Sequence, residues 1–337
     1  MKKHIRPMVP ALGVLVLLCA AYGAITWQQG RNAKAQALSP ENDSVYMTDL
    51  PELSSLSWTK DDKSLSFTRE GGTWYYKGDK DCPIRQYPLT TLADTLSHLK
   101  AERKLKGADS PEAYGLDNPS VRFDTVSPDG SSHTILLGSQ VPGTGGAGSD
   151  GSQPPAQYYA AMEGDSQIYT IGSYLTETAA KGLYDFVETE SLPHVEGADI
   201  REITVSRNGQ TSRFCKKAVD DAGNIAWYKD SAADESNRLD DNGALNNLAD
   251  IISGLSFQSC VSYKASDEEL SSYGLSDPTM ILSWTYESGD TNGGLTLLIG
   301  SLTEDGTGYY TRKDDSRAVN LISKEAAVRC LNAAYPK

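Results

Sequence analysis

Two hexapeptides decide how this chain is read: YGLDNP at residues 114–119 and YGLSDP at residues 273–278. A helix start precedes each. In "SPEAYGL", Ser110 stands as N-cap and Pro111 at the first helical position. In "SDEELSSYGL", Ser266 and Glu269 make a capping box. Gly115 and Gly274 then stop the helix, because glycine takes the left-handed conformation without a Cβ clash. Leu116 and Leu275 fall where a Schellman motif makes its apolar contact. Pro119 and Pro278 force extended backbone before them and keep the helix from resuming. The hexapeptide is therefore a structural device rather than a catalytic one: a turn of helix, a stop, and entry into a strand.

The surroundings repeat as well. "TWYYKGD" with Trp74 precedes the first hexapeptide and "AWYKDSA" with Trp227 the second. A helical pattern follows each tryptophan: Leu92, Leu96, Leu99 and Leu105 in the first copy, with a capping box expected from Thr91 and Asp94, and Leu245, Leu248, Ile251, Ile252 and Leu255 in the second. After each hexapeptide come short alternating runs with hairpin signals, ending in Gly138-Ser139 and Gly300-Ser301. Tyr158-Tyr159 then matches Tyr309-Tyr310, and a helix closes each copy. Matching points lie about 150 to 160 residues apart throughout, the mark of a tandem duplication. Each copy reads as two strands, a helix, a helical turn, four strands and a helix. Segregated strands and helices predict an α+β fold with a largely antiparallel sheet. The copies differ mainly in residues 140–157, a Gly-rich loop that reads as a flexible insertion of unassigned role.

The N-terminal end gives the location. Lys2, Lys3 and Arg6 precede residues 8–27, which carry no charge. About 20 apolar residues span a hydrocarbon core, and basic flanks stay in the cytoplasm. An uncleaved anchor fits this length best. A cleavable signal peptide with small residues around Cys19 to Ala24, or a lipoprotein signal at Cys19 (against which Leu18 argues), are the other readings, and all three put the remainder outside the cytoplasm. The expected layout is a cytoplasmic tail 1–7, an anchor 8–27, a linker 28–50, and repeat domains at 51–195 and 196–337. Cys82, Cys215, Cys260 and Cys330 remain, and sequence leaves open whether they are buried thiols or disulfides, and in which of three pairings.

Chemistry-bearing motifs are sparse. The net charge of −14 argues against a nucleic-acid partner. His4, His98, His133 and His194 have no metal-ligand spacing, and the cysteines form no C-x-x-C, so no metal or other cofactor is expected. "SHLK" at 97–100 matches S-x-x-K without its companion motifs. "GTGGAGSDG" lacks the G-K-[ST] of a phosphate loop, and "DSAADESNRLDD" lacks calcium-loop spacing. No catalytic residue is assigned.

Together, Trp74, YGLDNP, "PDG", "LLGS", "YYAAM" and "IYTIG", and again Trp227, YGLSDP, "LLIGS", "YYTRK" and "AVNLI", resemble a bacterial family, the domain of unknown function 4340. The resemblance covers roughly residues 55 to 335. It implies an auxiliary component, outside the membrane, of ABC transport systems of gliding-motility type, and it carries over no catalytic residues. The long first-copy loop departs from the family pattern. The expectation is a membrane-anchored, non-enzymatic accessory protein whose partners are the membrane and an ABC permease or companion extracytoplasmic subunit. The alternatives are a cell-envelope glycan- or peptide-binding module and, last, a cell-wall hydrolase.

Overall fold

The structure is a computed structural model and describes residues 45–146, 154–220, 224–232 and 234–333. The tail, the apolar stretch at 8–27, most of the linker and the middle of the Gly-rich loop lie outside these residues. Among the described residues, no helix is long and apolar enough to cross a membrane. The chain divides into two compact units. Unit 1 holds Gln86–Lys181 and the residues up to Gly78, and unit 2 holds Asp79–Arg85 and Gly182–Lys337.

Unit 1 runs β1 (Val45–Tyr46), β2 (Ser55–Lys60), β3 (Lys63–Glu70), β4 (Thr73–Tyr76), α1 (Gln86–Ser97), β5 (Lys100–Ala101), β6 (Arg103–Lys104), a 3-10 turn Pro111–Tyr114, β7 (Val121–Val126), β8 (Ser132–Gln140), β9 (Gln157–Met162), β10 (Tyr169–Gly172) and α2 (Tyr174–Ala179). Unit 2 runs β11 (Ile200–Arg207), β12 (Gln210–Ala218), β13 (Ile225–Lys229), α3 (Gly243–Ser253), β14 (Ser259–Ser262), α4 (Asp267–Ser272), β15 (Met280–Ser288), β16 (Thr291–Leu302), β17 (Gly308–Lys313), β18 (Val319–Ser323) and α5 (Lys324–Asn332).

Each unit builds one antiparallel eight-stranded sheet. The orders are β4-β3-β2-β7-β8-β9-β10-β6 and β13-β12-β11-β15-β16-β17-β18-β14, the same topology strand for strand. The duplication is thus written in the connectivity. Three strands of each eight-stranded sheet precede the first helix, not two, and a short edge strand of the sheet follows it; β1 and β5 pair separately in unit 1. The hairpin β2–β3 turns on Asp61 and Asp62, with φ of 48° and 61°, and an Asp-Asp pair is a weaker hairpin signal than Asn-Gly or Asp-Gly.

One face of each sheet is apolar and lies under helices. In unit 2, Leu245, Leu248, Ile251 and Ile252 of α3, with Ala327, Cys330 and Leu331 of α5, share one core with Ile203, Val205, Phe214, Trp227, Leu282, Trp284, Leu297 and Ile299. The apolar positions recur at three and four residues along α3, so they line a single stripe. In unit 1, Leu89, Leu92 and Leu96 are buried on α1, and Leu56, Trp58, Phe67, Phe123, Ile135 and Leu137 on the strands. Helix α1 starts at Gln86, so Thr91 and Asp94 lie inside it and form no capping box. Pro88 is accepted in its first turn, where backbone N–H groups have no intrahelical partner.

The two tryptophan strands are sheet edges, and amide side chains cover them. The Trp74 N–H donates to Gln86 Oε1 at 2.7 Å, and Gln86 Nε2 donates to the Trp74 carbonyl at 3.0 Å. The Trp227 N–H donates to Asn242 Oδ1 at 3.0 Å. A cation from the neighbouring strand sits over each indole: Arg69 at 5.7 Å from the Trp74 ring and Lys216 at 5.1 Å from the Trp227 ring. An edge strand whose backbone groups are bonded to the helix start is a poor template for further pairing.

All four described cysteines are free. Burial pushes the thiols of Cys82, Cys260 and Cys330 up to about 11. In the unfolded chain a thiol ionises near pH 8.5. The folded state therefore holds protons that the unfolded state releases, and this contribution, complete below about pH 8.5, is lost as pH rises toward 11. Each thiol should cost about 1.4 kcal/mol per pH unit across that window. The urea midpoint is expected to fall steeply between pH 8.5 and 11, and Cys330→Ala should flatten the fall. An equal slope in the variant would show that the thiol carries none of it.

Candidate functional site

The other face of each sheet holds the features that distinguish this fold, and the hexapeptide covers part of it, with the short helix α4 before it in unit 2. Gly115 has φ of 70° and Gly274 φ of 68°. The Leu275 N–H bonds the Leu270 carbonyl at 2.8 Å and the Gly274 N–H the Ser271 carbonyl at 3.0 Å, the two bonds of a Schellman stop. Unit 1 repeats them, from Leu116 to Pro111 at 3.0 Å and from Gly115 to Glu112 at 3.2 Å. The Ser266–Glu269 capping box is formed in unit 2. Ser110 makes no such cap; its hydroxyl bonds the Glu112 carboxylate instead. With only Pro111–Tyr114 available before the glycine, the turn closes as a 3-10 helix rather than an α-helix.

The stop docks on the sheet. Leu275 packs with Leu270, Leu298 and Val319, and with Tyr273, Ile281 and Tyr310 around them. Leu116 packs with Ala161 and Ile168, beside Tyr114, Leu136 and Tyr159. Tyr114 meets Tyr159 at 4.7 Å between ring centres, and Tyr273 meets Tyr310 at 4.4 Å. The repeated Tyr-Tyr pair and the repeated hexapeptide are thus two halves of one contact. The Gly-Ser pairs are its third part. A Cβ on Gly138 or Gly300 would lie well under 3.0 Å from the carbonyl oxygen of Tyr114 or Tyr273. Ser301 N–H bonds the Tyr273 carbonyl at 2.9 Å, and Ser139 Oγ bonds that of Tyr114 at 3.0 Å.

Beyond the hexapeptide the two faces differ. In unit 1, Arg122 on β7 donates to Asp124 at 3.1 Å and to both oxygens of Glu163 at 2.6 and 3.0 Å. Thr134 lies within reach of both, 3.2 Å from Arg122 Nη2 and 2.6 Å from Asp124 Oδ1. The bond from Arg122 holds the Glu163 carboxyl below its ordinary range. In unit 2 the matching ground is a cavity of about 420 Å³, lined by Glu202, Thr204, Ser283, Thr285, Thr296 and Asp314 among others. Asp315 also lines it, and Thr285, Asp314 and Asp315 are exposed at its rim. Ser283 Oγ and Thr296 Oγ1 lie 2.9 Å apart. Glu202 is held by Arg213 Nη2 at 2.8 and 2.9 Å. The volume is within the range of small-ligand sites, about 300 to 1,000 Å³. Sequence reading passed over this place, since the hydroxyls and carboxylates are spread over three strands and a loop.

Other residues weighed from sequence have structural duties. Ser97 ends α1 and donates to the Pro51 carbonyl at 3.3 Å. In the acidic stretch, Glu235 accepts from Tyr228 Oη at 3.1 Å and Asp234 caps the turn Glu235–Asn237. Among the described residues, no group of three or more His, Cys, Asp or Glu side chains is placed to hold a metal ion.

The fold is thus a tandem α+β protein whose two sheets each carry a docked helix stop on one face. The model of the family described as Domain of unknown function (DUF4340) matches residues 74–241 and 232–333, and the chain belongs to that family. No curated protein and no solved structure matches the chain.

Proposed function

We propose that this chain is a membrane-anchored extracytoplasmic accessory protein that acts by contact rather than catalysis, beside an ABC transport system. One structural observation supports contact: in unit 2, residues of β11, β15 and β16 leave a polar hollow on the face opposite α3 and α5, next to the docked hexapeptide. The uncharged stretch 8–27 behind Lys2, Lys3 and Arg6 supports the anchor, and the family resemblance supports the transporter setting. An anchor confines a protein to two dimensions with its partners, so modest affinity suffices.

The test has two arms. Protease added to intact protoplasts should remove the bulk of the chain while sparing its first residues. Crosslinking in cells through a photoreactive residue at Thr285 should capture a permease or companion subunit. A protected ectodomain would refute the location. Self-contacts alone, or turnover of wall glycan by the purified protein, would refute the accessory role. The hydroxyl-lined cavity also favours a second reading, a glycan- or peptide-binding module.

A further inference from the structure

The two repeats allow the cavity of unit 2 to be compared with its own counterpart. The register makes the match residue by residue. Asp124 pairs with Thr134 and Arg122 with Leu136, as Ser283 pairs with Thr296 and Ile281 with Leu298. Glu163 N–H bonds the Thr134 carbonyl at 2.9 Å, as Asp314 N–H bonds that of Thr296 at 2.9 Å. Unit 1 therefore fills the position with an arginine of its own, whose guanidinium touches a strand carboxylate, a strand hydroxyl and a loop carboxylate. Unit 2 keeps the hydroxyl as Thr296 and the loop carboxylate as Asp314, adds Asp315, and replaces the arginine by Ile281. The hydroxyl and the loop carboxylate remain where the donor has gone, while the strand carboxylate Asp124 has become Ser283.

We propose that the cavity of unit 2 binds the guanidinium or ammonium group of a basic side chain presented by a polypeptide partner. The basic side chains beside it are engaged away from two of its three carboxylates, Asp314 and Asp315. Arg213 is committed to Glu202. Arg312 donates to the backbone carbonyls of Asp314 and Ser316 and so braces the loop from behind. Asp314 and Asp315 have no basic side-chain partner among the described residues. A planar guanidinium donates to a hydroxyl and a carboxylate together, as Arg122 does. The cavity has room for a whole basic side chain, and its exposed rim leaves the partner's backbone outside. The proposal rests on the cavity-bearing face of unit 2 being a contact surface and not on the transporter setting, so binding in solution and crosslinking in cells fail separately.

The test titrates the full-length chain in mild detergent with end-blocked Gly-Arg-Gly by calorimetry. Gly-citrulline-Gly, a neutral isostere, and spermidine serve as comparisons. The arginine peptide should bind at least about tenfold more tightly than the citrulline peptide, and more weakly as salt rises. Asp314→Asn should weaken it by about tenfold. The double variant Ile281→Arg with Ser283→Asp rebuilds the unit 1 clamp and should abolish binding. Should that variant melt early, Asp314→Asn and the citrulline comparison decide alone. Equal binding of arginine and citrulline peptides overturns the proposal, as does a folded double variant that binds like wild type. Binding of spermidine without the arginine peptide also overturns it, since the site would then take small amines.

Discussion

Gly300→Ala should cost unit 2 about 3 kcal/mol, a large change from a single methyl. The added Cβ would lie well under 3.0 Å from the Tyr273 carbonyl oxygen and about 3.1 Å from the Leu275 side chain. The obstacle is backbone, so the docked stop must lift off the sheet. That loosens the Tyr273–Tyr310 contact and exposes Leu275, which is 2% accessible. The melting midpoint of unit 2 should drop by roughly 6 to 12 °C, at 2 to 4 °C for each kcal/mol in a domain of this size. Gly172→Ala is the control. It too lies in a strand, at the end of β10, but a Cβ there meets nothing within 4 Å, and it should be close to neutral. Equal melting of the two variants would refute the docking account. Gly115→Val attacks the equivalent assembly of unit 1 at the helix stop itself. A β-branched residue at φ of 70° carries strain of about 1 to 2 kcal/mol.

Trp227→Ala is expected to be at least as damaging, about 3 to 5 kcal/mol. The indole is fully buried, its Nε1 donates to Asn246 Oδ1 at 2.9 Å, and Lys216 covers one face. Removal leaves a cavity under α3 and an amide oxygen without its donor. Trp227→Phe restores most of the volume but not the N–H, and should cost about 1 to 3 kcal/mol for the buried acceptor left unpaired. Urea unfolding followed by circular dichroism should resolve the two variants in that order. If Phe and Ala at 227 unfold alike, the hydrogen bond rather than the packing holds the site; if neither shifts the midpoint, the core assignment is wrong.

The parts of the fold that were legible share one property: each is set by local backbone chemistry. The stop at Gly115 and Gly274 follows from glycine's access to positive φ, and the duplication follows from seeing that stop twice. The first hairpin of the first copy carries a weak turn signal, whereas its counterpart in the second copy turns on Asn208-Gly209, a strong one. "SLSWTK" and "KSLSFTRE" join through Asp61-Asp62, which adopts positive φ without glycine. Thr91 and Asp94 show the opposite error, a capping pattern with correct spacing inside a helix that starts earlier at Gln86. The cavity could not be read locally at all. Thr296 and Asp314 meet because of β16–β17 register, and Ile281 is informative only when set beside Arg122.

The assignment of Asp79–Arg85 to unit 2 has a consequence for how the chain is made. This stretch follows β4 and precedes α1, both of unit 1, yet its partners come later. Ile84 bridges to Val187, the Glu188 N–H bonds the Pro83 carbonyl at 2.6 Å, and Tyr263 Oη bonds Asp79 at 2.9 Å. During synthesis, Cys82 and Ile84 must wait for about a hundred further residues before they have cover. A ribosome-bound intermediate ending at Lys181 thus carries an unfinished sticky loop. Excision of the chain up to Lys181 as a contiguous fragment would make that transient state permanent, so the product cannot be cut cleanly where the contiguous part of unit 1 ends.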